Sequence, residues 1–511
     1  TTIRKKLFKK TVKVIQLAGA VMEYTNYHHG ESSLHSTIIN MAQRFLGSNN
    51  ISLLYPAGQF GSRLEGGKDF ASPRYTETRL DELTTLMVRK EDEIILVRAI
   101  DDGIKIEPNV FTPIIPLILV NGAKGIGTGF ATEIPCYNPI EIINNIRLLI
   151  KGKTPQEMIP WYRGFKGAIE KIDINRYKTY GNYEEIDENS IRITELPIGR
   201  WTQVYKEFLN TLTPEGVAAL QKNKQNNKNQ QKGTAKPAPT SNRKKIPAPI
   251  IKDIIDDNRE STVNFIITFM DGEYQNLVRD NSIEKKLKLS SKISTSNMHL
   301  WDTRGKKIKK YKKVEDILKD FYKFRLECYE LRKERQSLIL ENEANIFKYK
   351  ILFLKDYMAK KIIIDKKKKQ DVILQLEKLK YPKLSAKISF ETQQEQLLVA
   401  DKIDDNEDGN NVDEDQEEKK DKNEYNKDYK YITNLPLFSL TEEKLSQLEK
   451  EYEARLIEYE NYIKTPIKDI WLKELDELQT AYDKWLQEVE SIEEDDNKKS
   501  TKKRTATKKR T

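Results

Sequence analysis

The sequence predicts a mixed α+β chain of several domains, on three observations. Apolar residues recur at helical spacing near the start, at Leu34, Ile38, Met41 and Phe45. Two stretches, 165–200 and 261–300, alternate apolar and polar residues in places (Ile191-Arg192-Ile193, Val263-Asn264-Phe265), as strands do. Beyond Val314 the series Ile317, Phe321, Phe324, Cys328, Leu331 and Leu338 steps by four and three residues, broken once at Arg335, and predicts a long helix that pairs with another. A chain of 511 residues has room for roughly two to four domains.

Taken in order, 1–112 reads as a compact, mostly helical domain that opens with the apolar stretch Val12 to Met22. At Pro113 the composition changes: IIPLILV (Ile114 to Val120) is a buried segment, followed by Gly122, Gly125, Gly127 and Gly129. The second domain, 113–310, carries the strands. It is interrupted by an insert, 213–246, too polar to bury a core and expected to be disordered. The third, 311–495, holds the long helix and a returning one marked by Leu445, Leu448, Tyr452, Leu456, Tyr459 and Ile463. Two helices of about 45 residues reach about 70 Å at about 1.5 Å per residue. Between them lie PLFSL (Pro436 to Leu440) and the acidic loop 400–428. The tail, 496–511, has no acidic residue from Lys498 onward and reads as disordered, compatible with touching DNA or serving as a nuclear address.

Charged residues are 33% and apolar residues 37% of the chain, which suits long exposed helices better than one large core. The net charge of +10 favours a polyanionic partner. Cys136 and Cys328, the only two cysteines, make neither a disulfide framework nor a zinc site and point to a reducing compartment. No apolar run reaches the length of a membrane span and no signal peptide precedes TTIRKKLFKK. The chain opens without a methionine and reads as part of a longer polypeptide.

Chemistry concentrates in Tyr55 to Leu80. Gly58, Gly61, Gly66 and Gly67 let backbone approach a ligand, and Arg63, Lys68 and Arg74 suit an anion. Tyr75, directly after Arg74, is placed as an oxygen nucleophile for a phosphate; a packed ring among 24 tyrosines is the competing reading. His28 and His29 have only Glu31 near them, which matches no zinc pattern. Gly152-Lys153-Thr154 is not a Walker A loop, because Arg147 stands where its first glycine belongs. Ile126, between Gly125 and Gly127, is either buried in a turn or held forward.

Four segments in series carry a resemblance: YHHGESSL (Tyr27 to Leu34), GQFGSRLEGGKDFASPRY (Gly58 to Tyr75), LVNGAKGIGTGFATEIP (Leu119 to Pro135) and ELPIGRWTQVYKEFL (Glu195 to Leu209). Together they resemble the type IIA DNA topoisomerases of the eukaryotic topoisomerase II kind. The likeness spans the chain except 213–246, 400–428 and the tail. It implies a winged-helix domain over 1–112, a mixed α/β tower domain over 113–310, and a long antiparallel coiled coil with a small helical dimerisation head over 311–495. It implies a homodimer on double-stranded DNA in the nucleus, with no membrane. Tyr75 would attack DNA and hold a 5′ phosphate, Arg74 would stabilise the charged transition state and His29 would assist. Ile126 would intercalate and bend the duplex. Tyr27, Ser33 and Trp201 would touch DNA, and Ser32 and Gln59 would line the pocket for drugs that trap cleaved DNA.

Such chemistry suits reversible breakage. Transfer of the phosphodiester to a tyrosine oxygen conserves the ester, so the ends rejoin by reversal, whereas hydrolysis would lose it. The family also uses Mg²⁺, held by a Glu and an Asp-x-Asp cluster, and ATP. No stretch of this chain resembles either site, so the chain by itself is expected to bind and bend DNA and to cleave it poorly. Two other classes share single features: a DNA-binding structural protein explains the charge and long helices, and an inert dimerisation piece explains the helices alone.

Overall fold

In the computed structural model the described residues are 10–101, 103–230, 248–303, 305, 307–364, 367–385, 429–435 and 442–508. The acidic loop 400–428, Pro436 to Leu440 and the later part of the insert lie outside them. The fold is mixed α and β. The chain forms two compact units, one of Thr1–Val88, Pro113–Tyr322 and Leu475–Thr511, the other of Arg89–Thr112 and Lys323–Glu474.

The first unit begins with β1 (Val12–Lys13), α1 (Val14–Thr25), α2 (Glu31–Ala42), β2 (Leu54–Ala57), β3 (Glu77–Leu80) and α3 (Glu82–Met87). The strands form an antiparallel sheet in the order β1-β3-β2. Val14, Leu17 and Ala18 of α1 and Leu34, Ile38, Ile39 and Ala42 of α2 bury against Leu54, Phe60 and Leu80. Each large side chain so buried contributes about 1.5–3 kcal/mol. The predicted stripe is displaced: Met41 is 37% exposed, and Phe45 lies past the end of α2. The stripe that packs is 34, 38, 42, with Ile39 beside it. Asp81 starts α3 by accepting a hydrogen bond from Leu83 N at 3.1 Å.

The chain then passes through the second unit, where β4 (Arg98–Asp101) and β5 (Ile104–Pro108) pair as a hairpin. The first domain expected from sequence, 1–112, therefore divides at Val88.

From Pro113 the first unit resumes with α4 (Leu117–Val120), the hairpin β6 (Ala123–Ile126) and β7 (Ala131–Ile134), and α5 (Pro139–Ile150). Next come β8 (Ala168–Asp173), β9 (Arg176–Tyr180), β10 (Asn182–Asp187), β11 (Ser190–Glu195), α6 (Thr202–Asn210) and α7 (Pro214–Gln230). They are followed by β12 (Ile251–Asp256), β13 (Phe265–Phe269), α8 (Glu273–Arg279), α9 (Ile283–Lys286), β14 (Ser290–Ser294), β15 (Met298–Trp301) and β16 (Ile308–Tyr311). A four-stranded antiparallel sheet runs β10-β11-β13-β12 and a three-stranded one β14-β9-β8. The alternation read in the sequence puts Ile191, Ile193, Phe265, Ile267 and Phe269 in one core with Tyr205 and Leu209. The insert departs from the disorder expected of it, because α7 continues the fold to Gln230. Thr213 Oγ1 accepts from Gly216 N at 3.2 Å and Val217 is buried, so a helix start and an apolar anchor precede the polar run.

Helix α10 (Val314–Met358) is 45 residues long, as the periodicity predicts. Then come α11 (Lys369–Lys378), α12 (Lys430–Thr433), α13 (Glu442–Lys464) and α14 (Ile467–Lys508). The returning helix is not continuous: α13 has 23 residues and stops before Pro466, which has no N–H to give and disfavours helix in the residue before it. Leu354, Leu376, Tyr381, Tyr429, Ile432 and Leu448 form the core of the second unit at this end. The span assigned to the third domain also departs from expectation, since Leu475 onward belongs to the first unit. There Tyr482, Trp485 and Val489 are buried, and Arg147 Nη2 meets Asp476 Oδ1 at 2.6 Å. The tail read as disordered is helical to Lys508; nothing between Ile467 and Lys508 is Gly or Pro. Among the described residues no helix is long and apolar enough to cross a membrane.

Candidate active site

Between β2 and β3 the chain leaves the sheet in a loop, 58–76, that its own polar groups hold rigid. Ser62 N donates to Asp69 Oδ1 at 2.8 Å and Gly67 N to Ser62 O at 2.8 Å. The buried Gln43 Nε2 donates to Phe60 O at 2.9 Å and Gly67 O at 3.0 Å. Gly61 is required: its φ is +94°, and a Cβ there would stand 2.6 Å from Gly67 O. The loop ends in a turn closed by Tyr75 N on Ser72 O at 2.8 Å. It docks on the start of α1, where Ile15 N reaches Pro73 O at 3.3 Å and Val14 N reaches Thr76 O at 3.0 Å.

Tyr75 stands at the end of this braced loop with 70% of its surface exposed, so its ring is not a core residue. The guanidinium of Arg74, itself exposed, lies 4.8 Å from the ring centroid. Neither cysteine competes as a nucleophile: burial pushes the Cys136 thiol up to about 12 and the Cys328 thiol up to about 11, so both stay protonated.

Of the three cations read as suited to an anion, Arg63 is spent. It is buried, with Nη2 2.6 Å from Glu195 Oε1 at the end of β11. It ties the loop to the four-stranded sheet, while Lys68 and Arg74 face solvent.

The YHHG segment links α1 to α2. Asn26 ends α1 at φ +48° and Gly30 caps α2. His28 and His29 are exposed, their ring centroids 4.7 Å apart, and Tyr27 meets His29 edge-on at 5.4 Å. Ser32 and Ser33 lie exposed on the first turn of α2, and Gln59 is exposed on the tyrosine loop. Within the described residues these side chains form no hydrogen bond or ring contact with Tyr75. Nor do any three of His, Cys, Asp and Glu gather to hold a metal, so this chain's described side chains do not fit a magnesium site.

Ile126 is the last residue of β6, at the tip of its hairpin, and is 92% exposed. Gly127 N bonds Phe130 O at 2.8 Å to close the tip. An isoleucine so placed is not a buried turn residue. The hairpin's base is tied to the tyrosine-bearing part through two asparagines that sequence reasoning missed. Asn121 exchanges hydrogen bonds with the Ile51 backbone at 3.0 and 2.8 Å. Buried Asn50 donates to Tyr137 O at 3.1 Å and accepts from Arg163 N at 2.9 Å. Neither sits in a recognisable pattern, so no sequence signal marks them.

Trp201 is half-buried rather than presented. Its ring meets Phe45 edge-on at 5.7 Å and covers Gly47 and Gly66, so closely that a Cβ on Gly66 would fall 2.4 Å from the indole. The indole thus braces the tyrosine loop from the side.

The DNA gyrase/topoisomerase IV family model matches residues 2–476. The chain belongs to this family. It is 37% identical over 533 residues to the DNA topoisomerase 2 of Candida albicans, a match covering 99% of this chain and 34% of that protein. It is also 37% identical over 492 residues to that of Saccharomyces cerevisiae, covering 94% and 32%. Among solved structures it is similar to the Plasmodium falciparum topoisomerase II DNA-binding, cleavage and re-ligation domain, with a TM-score of 0.78 and 36% identity over 96% of this chain and 60% of that one. The chain spans about a third of the length of the curated topoisomerases it matches.

Proposed function

We propose that the chain is the part of a type II DNA topoisomerase that binds, cuts and rejoins duplex DNA. The observation that carries this reading is Tyr75, an exposed hydroxyl on a rigid loop beside the exposed Arg74, within the segment that resembles the family's cleavage motif. In the proposed reaction Tyr75 Oη attacks a backbone phosphorus. The bond to the 3′ oxygen breaks, that oxygen leaves as a hydroxyl after gaining a proton, and the 5′ end remains as a phosphotyrosine ester. Reversal restores the strand. Arg74 stabilises charge on the five-coordinate phosphorus and His29 assists.

Tyr27, Ser33 and Trp201 are proposed to touch the duplex, Ile126 to enter the base stack and bend it, and Ser32 and Gln59 to line the pocket for trapping drugs. The α1–α2 and β1–β3 region is the proposed winged helix, the sheets from β8 to β14 the tower, and α10 with α13 the antiparallel coiled coil. Its head is proposed to join two copies as a homodimer. Mg²⁺ and ATP are proposed to act from other parts of the enzyme, in the nucleus.

The test is denaturing-gel detection of protein linked to the 5′ end of labelled duplex, with the metal- and ATP-binding parts supplied. Tyr75→Phe keeps the ring and removes the attacking atom, so the adduct should vanish. An adduct of undiminished yield would assign the chemistry to another tyrosine.

A further inference from the structure

One exposed surface remains outside the roles above. The strands β15 and β16 pair as Met298↔Tyr311, His299↔Lys310, Leu300↔Lys309 and Trp301↔Ile308. Side chains alternate across a strand, so His299, Trp301, Ile308 and Lys310 share one face. The opposite face anchors the hairpin: Met298 and Tyr311 are buried, and Tyr311 Oη donates to Asp320 Oδ2 at 3.0 Å. Lys309 pairs with the same carboxylate.

The outward face is unusually apolar for a surface. Trp301 is 62% exposed and Ile308 37%. Of the five tryptophans Trp301 alone is exposed; the others are buried or half-buried. The same face continues into the Ile126 hairpin. His299 Nδ1 lies 3.0 Å from Ala131 O on β7, and its ring meets Phe130 edge-on at 5.8 Å. Phe130, 48% exposed, closes the tip that carries Ile126. A row of exposed apolar groups thus runs from Ile126 through Phe130 and His299 to Trp301. Lys307, Lys310, Lys312 and Lys313 are exposed along β16 and its flanks.

Exposed rings flanked by lysines fit a polyanion that also offers flat apolar surface. We propose that the β15–β16 hairpin is a second duplex-contacting element, in which the Trp301 indole lies against the sugar and base edges of DNA beside the Ile126 wedge and Lys310 neutralises a phosphate. The inference rests on the DNA-binding reading above. Charge complementarity and continuity with the wedge hairpin select DNA over a protein partner. Where a wedge opens a base step, an adjacent apolar contact covers the sugar and base surface that the bend exposes.

The exposure of a single tryptophan supplies the test. Acrylamide quenching of the chain is measured with and without a short mixed-sequence duplex, and Trp301→Phe identifies the Trp301 signal by difference. Saturating duplex should shield that signal. Trp301→Ala should weaken duplex binding about tenfold, Trp301→Phe should recover most of the loss, and neither should lower Tm. Lys310→Gln should reduce the slope of log Kd against log salt by about 0.9, one phosphate contact. If duplex binds but Trp301 stays fully quenchable, the inference falls and the DNA-binding reading stands. If the wild-type chain binds no duplex, both fall. Shielding that follows protein concentration without DNA would overturn the inference and assign the face to contact between copies.

Discussion

Arg325 Nη1 lies 2.8 Å from Asp92 Oδ2, with both side chains removed from solvent. Asp92 also accepts from Arg332 Nη1 at 3.1 Å, and Arg332 Nη2 reaches Glu474 Oε1 at 2.6 Å. Tyr329 Oη donates to the second oxygen of Glu474 at 2.5 Å. One carboxylate from the 89–112 excursion therefore joins the two arginines of α10, and Glu474 on α14 completes the network. Asp92→Asn removes the charge that both arginines share and leaves Arg325 buried without its counterion. The expected cost is about 3–5 kcal/mol of this unit's stability, read as a lowered midpoint in urea. Loss of less than about 1 kcal/mol would show that Glu474 alone balances the pair.

Trp201 now carries a prediction about packing as well as binding. Its indole fills the space over Gly47 and Gly66, so Trp201→Ala should open a void beside the tyrosine loop. A half-buried tryptophan so truncated should cost about 2 kcal/mol and lower Tm, in addition to weakening duplex binding. Unchanged Tm with weakened binding would return Trp201 to a purely DNA-facing role.

Local features were legible in sequence. The strands around Ile191 and Phe265, the 45 residues of α10 and the forward placement of Ile126 between glycines all follow from neighbours in the chain. Long-range pairing was not. Arg63 looks like a phosphate ligand until Glu195, 132 residues on, is found against it. Residues 89–112 and 475–492 change units for the same reason, since the partners of Asp92 and Arg147 lie hundreds of residues away. The break at Pro466 was readable, because proline ends helices from local geometry alone. The extent of α7 and α14 was not, since composition reports only that polar residues cannot form a core and does not say whether a packed helix continues through them.

Ile126 is exposed enough that its side chain adds little to folding. Ile126→Ala should therefore leave Tm unchanged and change only what happens on DNA. Affinity rests mainly on phosphate contacts, while the wedge contributes the kink. Energy transfer between dyes at the ends of a duplex should report a smaller bend at nearly equal Kd. An unaltered bend would place the bending force elsewhere, with the neighbouring Phe130 the next to vary.

Arg74 and Arg63 stand eleven residues apart in one loop and should fail in opposite ways. Arg74 is exposed beside the Tyr75 ring, so Arg74→Ala removes no core contact and should leave Tm and duplex affinity close to wild type. It deletes the cation nearest the proposed nucleophile, and adduct formation should slow about 10²–10³-fold. Arg63 faces Glu195 inside the protein, where solvent cannot replace the lost partner. Arg63→Ala should strand that carboxylate and cost about 3–5 kcal/mol, with the loop that carries Tyr75 loosened and adduct yield falling as Tm falls. The two variants are separated by following adduct rate and thermal unfolding on the same samples. If Arg74→Ala melts early, or Arg63→Ala reacts slowly at full stability, the division between a reacting and a bracing arginine is wrong.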